Sequence, residues 1–218
     1  MTLRKMIRKI IYVKKYKYIL LYEYIMNKGF TIIVATTPLR GIGLNGKLPW
    51  KNSVDMKFFR NITSHCFDES KQNAVIMGRN TFKSMDYKTL PNRKNFCITR
   101  NDILCDNVDR NDVWFFDSFE KAINTLTGND ANYIYKLNNV TRGDDIETIF
   151  VIGGEMLYNE AINHPKCNEI LINEIQTDIQ CDTFFPEIDT NVFKLAEERY
   201  LSEDVIHRRY IRGTNGSP

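Results

Sequence analysis

The chain has 218 residues, 43% hydrophobic and 26% charged, with 13 Phe, 11 Tyr and 2 Trp. That content excludes a disordered segment, and a chain of this length buries roughly 70% of its unfolded surface around one core without needing a metal or a disulfide. The first 27 residues carry seven basic side chains (Arg4, Lys5, Arg8, Lys9, Lys14, Lys15, Lys17) against Glu23, so the formal +3 of the whole becomes −3 for the rest, and no nucleic-acid partner is expected.

Residues 1–27 read as a basic extension in front of one domain, 28–218. Lys and Glu interrupt its apolar residues, so it predicts no transmembrane segment, and no small-residue cleavage site follows a clean apolar run. Three readings stay open: an amphipathic helix on an anionic surface, an organelle-targeting segment, or a loosely attached stretch upstream of a start at Met26. Cys66, Cys97, Cys105, Cys167 and Cys181 form no C-x-x-C pair, and His65, His164 and His207 stand away from ligand spacing. The expected setting is reducing and cytoplasmic, with no metal.

Thr31–Thr36 is a β-rich apolar run, and the stretch from Gly41 to Lys47 is too glycine-rich for a regular strand or helix without penalty. After Asn52-Ser53, a possible cap, Asp55, Phe58, Phe59, Ile62 and Cys66 recur at helical spacing. Ala74–Met77, Phe96–Ile98 and Val113–Phe116 read as strands. Ser118 caps a helix carrying Phe119, Ala122, Ile123 and Leu126 on one face. Residues 127–147 are polar and predict an insertion or long surface loop. Ile149–Ile152 is the clearest central strand, then Gly153-Gly154 and a helix to about Ile162. Glu169–Ile175 is another strand, and Phe193–Tyr200 with Val205–Ile211 suit a final antiparallel hairpin. Apolar strands interleaved with helices predict an α/β sheet.

Asp55 shares its helical stripe with apolar residues, so it faces inward, where a carboxylate must be paired, hydrogen-bonded or protonated. If desolvation dominates, it can manage a proton near neutral pH. The competing reading is a first-turn acid favoured by the helix dipole. Gly78-Arg79-Asn80-Thr81 and Gly153-Gly154-Glu155-Met156 each leave a strand and open a helix, which suits phosphate, with Arg79, Thr81, Thr99 and Arg100 adding charge and donors. Tight turns explain either stretch equally well. Neither these nor Gly41-Ile42-Gly43 forms the dinucleotide fingerprint G-x-G-x-x-G. The fork of Arg93 matches a carboxylate, and Trp50, Phe59 and Leu90 could line a ring pocket or simply be core.

Taken in order, Ile33-Val34-Ala35, the run from Gly41 through Leu48-Pro49-Trp50, Val75-Ile76-Met77-Gly78-Arg79-Asn80-Thr81, Val151-Ile152-Gly153-Gly154 and Asp182-Thr183-Phe184-Phe185-Pro186 resemble dihydrofolate reductase from about Thr31 to Ile211. The early blocks are most similar to the reductase half of fused reductase–thymidylate synthase proteins, and no synthase domain is expected before the chain ends. The resemblance implies a central, mainly parallel eight-stranded sheet with flanking helices and a C-terminal antiparallel edge. It implies NADPH-dependent reduction of 7,8-dihydrofolate to 5,6,7,8-tetrahydrofolate by a monomer, with a separate thymidylate synthase as a candidate partner. A related pterin reductase, or a catalytically silent ligand-binding or regulatory homologue, are the alternatives.

By the same resemblance Asp55 lies under the pterin, Trp50 beside a water route, Thr183 in the carboxylate network and Tyr158 near the nicotinamide. Ile33, Val34, Ala35 and Ile152 belong to the pterin pocket, Met56, Phe59, Met85 and Leu90 embrace the pterin or aminobenzoyl portion, and Arg93 grips the glutamate. The cofactor set comprises Ala35, Ile42, Gly43, Asn45, Gly46, Lys47, Leu48, Gly78, Arg79, Asn80, Thr81, Thr99, Arg100, Gly153, Gly154, Glu155, Met156, Leu157 and Tyr158. Gly43–Lys47 form a mobile loop in this reading. Asn80 replaces a second basic residue found in some relatives, leaving Arg79 as the main phosphate ligand.

Overall fold

A computed structural model describes residues 28–100, 113–128 and 145–213. The strands are β1 (Phe30–Thr36), β2 (Gly41–Gly43), β3 (Gln72–Gly78), β4 (Arg93–Ile98), β5 (Val113–Phe116), β6 (Ile146–Val151), β7 (Cys167–Ile175), β8 (Thr183–Phe184), β9 (Phe193–Ser202) and β10 (Val205–Arg212). Among the described residues the helices are α1 (Ser53–Ser64), α2 (Arg79–Ser84), α3 (Phe119–Leu126) and α4 (Glu155–Asn163).

Eight strands form one sheet in the order β5-β4-β3-β6-β1-β7-β10-β9. Six of them pair in parallel, β10 runs antiparallel to β7, and β9 runs antiparallel to β10. The α/β architecture and the antiparallel edge are those expected. Alternation along β1 divides the core. Phe30, Ile32 and Val34 join a cluster with Phe119, Ile123, Leu157 and Ile162 of α3 and α4. Ile33 turns to the other face, where Phe58, Phe59 and Ile62 of α1 and Phe82 of α2 pack.

The caps follow the sequence closely. The Asn52 side chain accepts from the backbone of Val54 and Asp55 and donates to Asp204 at 2.8 Å, tying the start of α1 to the β9–β10 turn. Ser118 caps α3 by accepting from Lys121.

Two expectations change. Gly41–Gly43 does form a strand, paired antiparallel with β8, because a Cβ on Gly41 would fall 2.4 Å from Cys181 Sγ and only glycine allows so close an approach. The chain then reverses through Asn45 (φ 52) and Gly46 (φ 71), with Leu44 and Lys47 exchanging backbone bonds, as a type I′ turn requires. The polar insertion is also shorter than 127–147. Thr127 closes α3, and Ile146 and Glu147 open β6. Its middle, 129–144, lies outside the described residues, as does the extension 1–27. Among the described residues no helix is long and apolar enough to cross a membrane.

Candidate active site

Asp55 is both a first-turn acid and a buried one. Its backbone N–H is taken by the Asn52 cap, while its side chain, 6% exposed, leaves the helix to meet β7. There Asn173 Nδ2 donates to Asp55 Oδ1 at 2.8 Å, and Asn173 Oδ1 in turn faces His207 Nδ1 on β10 at 2.9 Å. Burial pushes the Asp55 carboxyl above its ordinary range, and the Asn173 bond pulls back more weakly. Tyr158 reaches across from α4, its hydroxyl donating to the Ile33 carbonyl at 2.9 Å. Burial, aided by the Asp55 charge, raises its pKa, so it is a neutral donor at every working pH. Trp50 is buried beside Ala35, and its Nε1 has no hydrogen-bond partner among the described residues.

From Asp55, α1 runs across the sheet for two further turns to Thr63. Eight residues at the helical rise cover about 12 Å. At the far end Thr63 Oγ1 accepts from Arg93 Nη1 at 2.8 Å, while Arg93 Nε donates to the Pro91 carbonyl at 2.9 Å. These bonds fix the guanidinium plane and leave part of its fork for a ligand. Burial and the neighbouring Arg60 lower the Arg93 pKa from a value high enough for it to stay charged. Between the two charged ends, half-buried Phe59, Met85 and Leu90 pack with Ile33 and Ile152, and Met56 is 51% exposed at the margin. The arrangement offers a proton-handling carboxyl, an apolar ring-binding stretch and a carboxylate clamp in line.

A second group of candidate residues gathers at the carboxyl ends of β3 and β6. These neighbouring strands lead into helices on opposite faces of the sheet, the arrangement in which open α/β sheets bind ligands. Gly78 N donates to the Gly153 carbonyl at 2.7 Å, and the Gly153–Gly154 peptide is cis. Neither Gly78 nor Gly154 supplies a side-chain cap to the helix it opens. A Cβ on Gly154 would come within 3.2 Å of Thr81 Oγ1, and one on Gly153 would enter the Tyr158 ring. The floor is therefore bare backbone at the start of α4, flanked by half-buried Arg79, Thr81 and Thr99 and exposed Asn80 and Arg100. This chemistry fits a phosphorylated dinucleotide.

A model of the dihydrofolate reductase family matches residues 29–212. The chain belongs to that family. Its sequence is 37% identical to the dihydrofolate reductase of Heliothis virescens over 173 residues, 78% of this chain and 85% of that protein. It is 31% identical to the dihydrofolate reductase of Aedes albopictus over 180 residues, 82% and 90% of the two chains. Identity to the bifunctional dihydrofolate reductase-thymidylate synthase 1 of Arabidopsis thaliana is 40% over 169 residues, but the match spans only 30% of that protein's length.

Within this dihydrofolate reductase fold, one expected contact is reassigned. Thr183 does not meet the carboxylate: its hydroxyl donates to Asp182 at 2.8 Å beside Gly43, in the small β2–β8 sheet. Asn173 makes the contact to Asp55 instead. Val34 and Leu157 turn their side chains into the opposite core cluster, so only their backbone can face a ligand. Met156 is 80% exposed, and Glu155 accepts from the backbone of Phe184 at 3.1 Å. The turn at Asn45, Gly46 and Lys47 is pinned where Asn45 N donates to Asp182 at 2.8 Å, with Ile42 half-buried before it and Leu48 half-exposed after it. Asn173, His207 and Thr63 join the site without being marked by any of the sequence motifs. For Asn173 the available signal was a polar residue directly after the apolar run Ile170-Leu171-Ile172; His207, beside Arg208 and Arg209, and Thr63, beside Ser64, carry no such signal.

Proposed function

We propose that this chain reduces 7,8-dihydrofolate to 5,6,7,8-tetrahydrofolate with NADPH. The observation that carries the reading is the line from buried Asp55 to buried Arg93 across an apolar stretch, which matches a substrate with a polar ring at one end and a glutamate at the other. Asp55 hydrogen-bonds the pterin amino group and N3, orients the ring and favours the electronic form that accepts a proton at N5. Trp50 Nε1 holds the water that completes proton delivery. The Ile33 and Ile152 carbonyls face the same ring edge, and Tyr158 keeps the Ile33 carbonyl in place. Phe59, Met85, Leu90 and Met56 hold the aromatic portions, and Arg93 binds the α-carboxylate.

Gly78, Gly153 and Gly154 hold the NADPH diphosphate, Arg79 with Thr81, Thr99 and Arg100 its adenosine phosphate, and Ala35 and Ile42 its nicotinamide. When bound, NADPH supplies the hydride. The hairpin tip from Gly43 to Lys47 shields the reacting atoms from bulk water. Residues 28–218 act as one reductase domain and as a monomer in this reading. The names of the bifunctional relatives support a thymidylate synthase as the protein that shares its folate pool.

The direct test is loss of NADPH absorbance on adding dihydrofolate; its absence with pure folded protein would reject the activity. Two substitutions separate the roles. Arg93→Lys is expected to raise KM for dihydrofolate about 10- to 100-fold with kcat little changed, since the clamp binds ground and transition states alike. Arg79→Ala is expected to raise KM for NADPH about tenfold and leave KM for NADH unmoved. Equal changes for both cofactors in steady-state assays would take Arg79 away from the 2′-phosphate.

A further inference from the structure

The Asp55 carboxyl does not end its hydrogen bonding at Asn173. Asn173 is 3% exposed and His207 is 3% exposed, so neither side chain can turn to water for a partner. An amide can meet an ionised carboxylate only with its nitrogen, because its oxygen would be repelled. With Nδ2 on Asp55, Oδ1 must face His207, and the facing Nδ1 must then carry a proton. The imidazole is itself held: Phe58 of α1 packs on it at 4.5 Å between ring centroids. Three side chains from three elements thus form one directed chain, His207 to Asn173 to Asp55.

We infer that His207 is a positioning residue that orients the Asn173 amide and thereby sets how readily Asp55 takes a proton. This rests on the reading of Asp55 as the carboxyl that orients the pterin. The bond from Nδ1–H polarises the amide, and a chain of donors that ends on a charged oxygen gains more from this than one that ends on a neutral carboxyl. His207 therefore stabilises the ionised form of Asp55 against the burial that disfavours it. Among the described residues, few groups face these three side chains. Burial, then Arg199 on β9, hold His207 below its ordinary pKa, while Glu197 on β9, the Ile172 backbone and Glu169 on β7 act the other way. Among the described residues, Tyr158 on α4 is a titratable group that feels the Asp55 charge, and it stays neutral.

The test reads Asp55 directly, by carbon NMR of labelled aspartate carboxyls, alongside the pH profile of kcat. His207→Phe is expected to move the Asp55 titration upward by about half a pH unit or more, and the kcat profile with it. In an Asn173→Thr background, where a hydroxyl donates without an amide to orient, the same replacement is expected to move neither. An unmoved titration with Asn173 present, or an equal movement in both backgrounds, would overturn the proposal. Should His207→Phe not fold, nitrogen NMR of the unaltered protein decides. The Nδ1-protonated neutral tautomer of His207 where Asp55 is ionised supports the chain, and the Nε2-protonated tautomer overturns it. The NMR readings need no substrate, so they remain decisive even if dihydrofolate proves not to be turned over.

Discussion

Replacing Asp55 with Asn is expected to leave the fold and NADPH binding intact and to slow dihydrofolate turnover near neutral pH by about 10²- to 10⁴-fold. The amide fills the same space and can still bond Asn173, but it cannot carry the proton equilibrium on which ring activation depends. Burial raises the folded-state pKa of Asp55 above its ordinary value, with the Asn173 bond opposing. Wild-type turnover should therefore fall as pH rises through that raised value, and the variant should lose this limb of the profile. Stability should move the other way. A carboxyl with a raised folded pKa contributes fully below its unfolded value, and that contribution is lost as pH climbs through the folded one. At neutral pH an ionised, buried Asp55 thus weighs against the fold, so Asp55→Asn should resist urea better than wild type, with the difference shrinking toward acid pH. Steady-state rates and urea melts across pH check both limbs, and unchanged turnover at neutral pH would remove Asp55 from the mechanism.

How far such a site is legible in a sequence depends on how local its physics is. The stripe Asp55–Phe58–Phe59–Ile62 is readable because helical spacing alone puts a carboxylate among apolar neighbours, and α1 bears that out. Ser118 announces α3 in the same way. The partner of Asp55 is not readable, because Asn173 lies 118 residues away and becomes a neighbour only once β7 has paired with β1. An Asn within Ile170–Ile175 looks like a flaw in a strand until that pairing exists. His207 is one step more remote, since β10 must first dock antiparallel on β7 opposite Asn173. Thr183 stands in a strong motif, yet that motif builds the β2–β8 contact and not the carboxylate network. Gly41–Gly43 departs from its local propensity for a related reason: glycine's penalty in a strand is real, but the close approach of Cys181 admits only glycine at Gly41.

The paired glycine stretches show the same division. Each is a weak signal alone, and the sequence does not say that β3 and β6 lie side by side. Once they do, the bare backbone after each strand faces the same space, and Gly78 and Gly153 are joined directly. Stability and ligand binding meet at that point, so a small substitution there is the sharpest available probe.

Gly153→Ala is expected to be among the most damaging single-methyl changes in this protein. Gly153 sits at φ +107, outside the region any residue with a Cβ adopts easily. An added Cβ would lie 2.8 Å from Cε2, 2.9 Å from Cζ and 3.0 Å from the hydroxyl oxygen of Tyr158. That ring cannot withdraw, because its hydroxyl is held by the Ile33 carbonyl and its face by Phe185, 5.1 Å away edge-on. Strain at such a φ and overpacking together come to about 2 to 6 kcal/mol, against a total of about 5 to 15 kcal/mol for a typical domain. Gly128→Ala is the matched control: its φ is +78, but nothing among the described residues lies within 4 Å of the added carbon, so the backbone term of about 1 kcal/mol is what those residues impose. Urea unfolding of the two variants should differ by severalfold in lost stability. NADPH affinity should fall for Gly153→Ala alone, because moving Gly153 also moves the floor shared with Gly78. Equal, small losses in both would mean that Tyr158 yields, and that Gly153 is held less tightly than its contacts indicate.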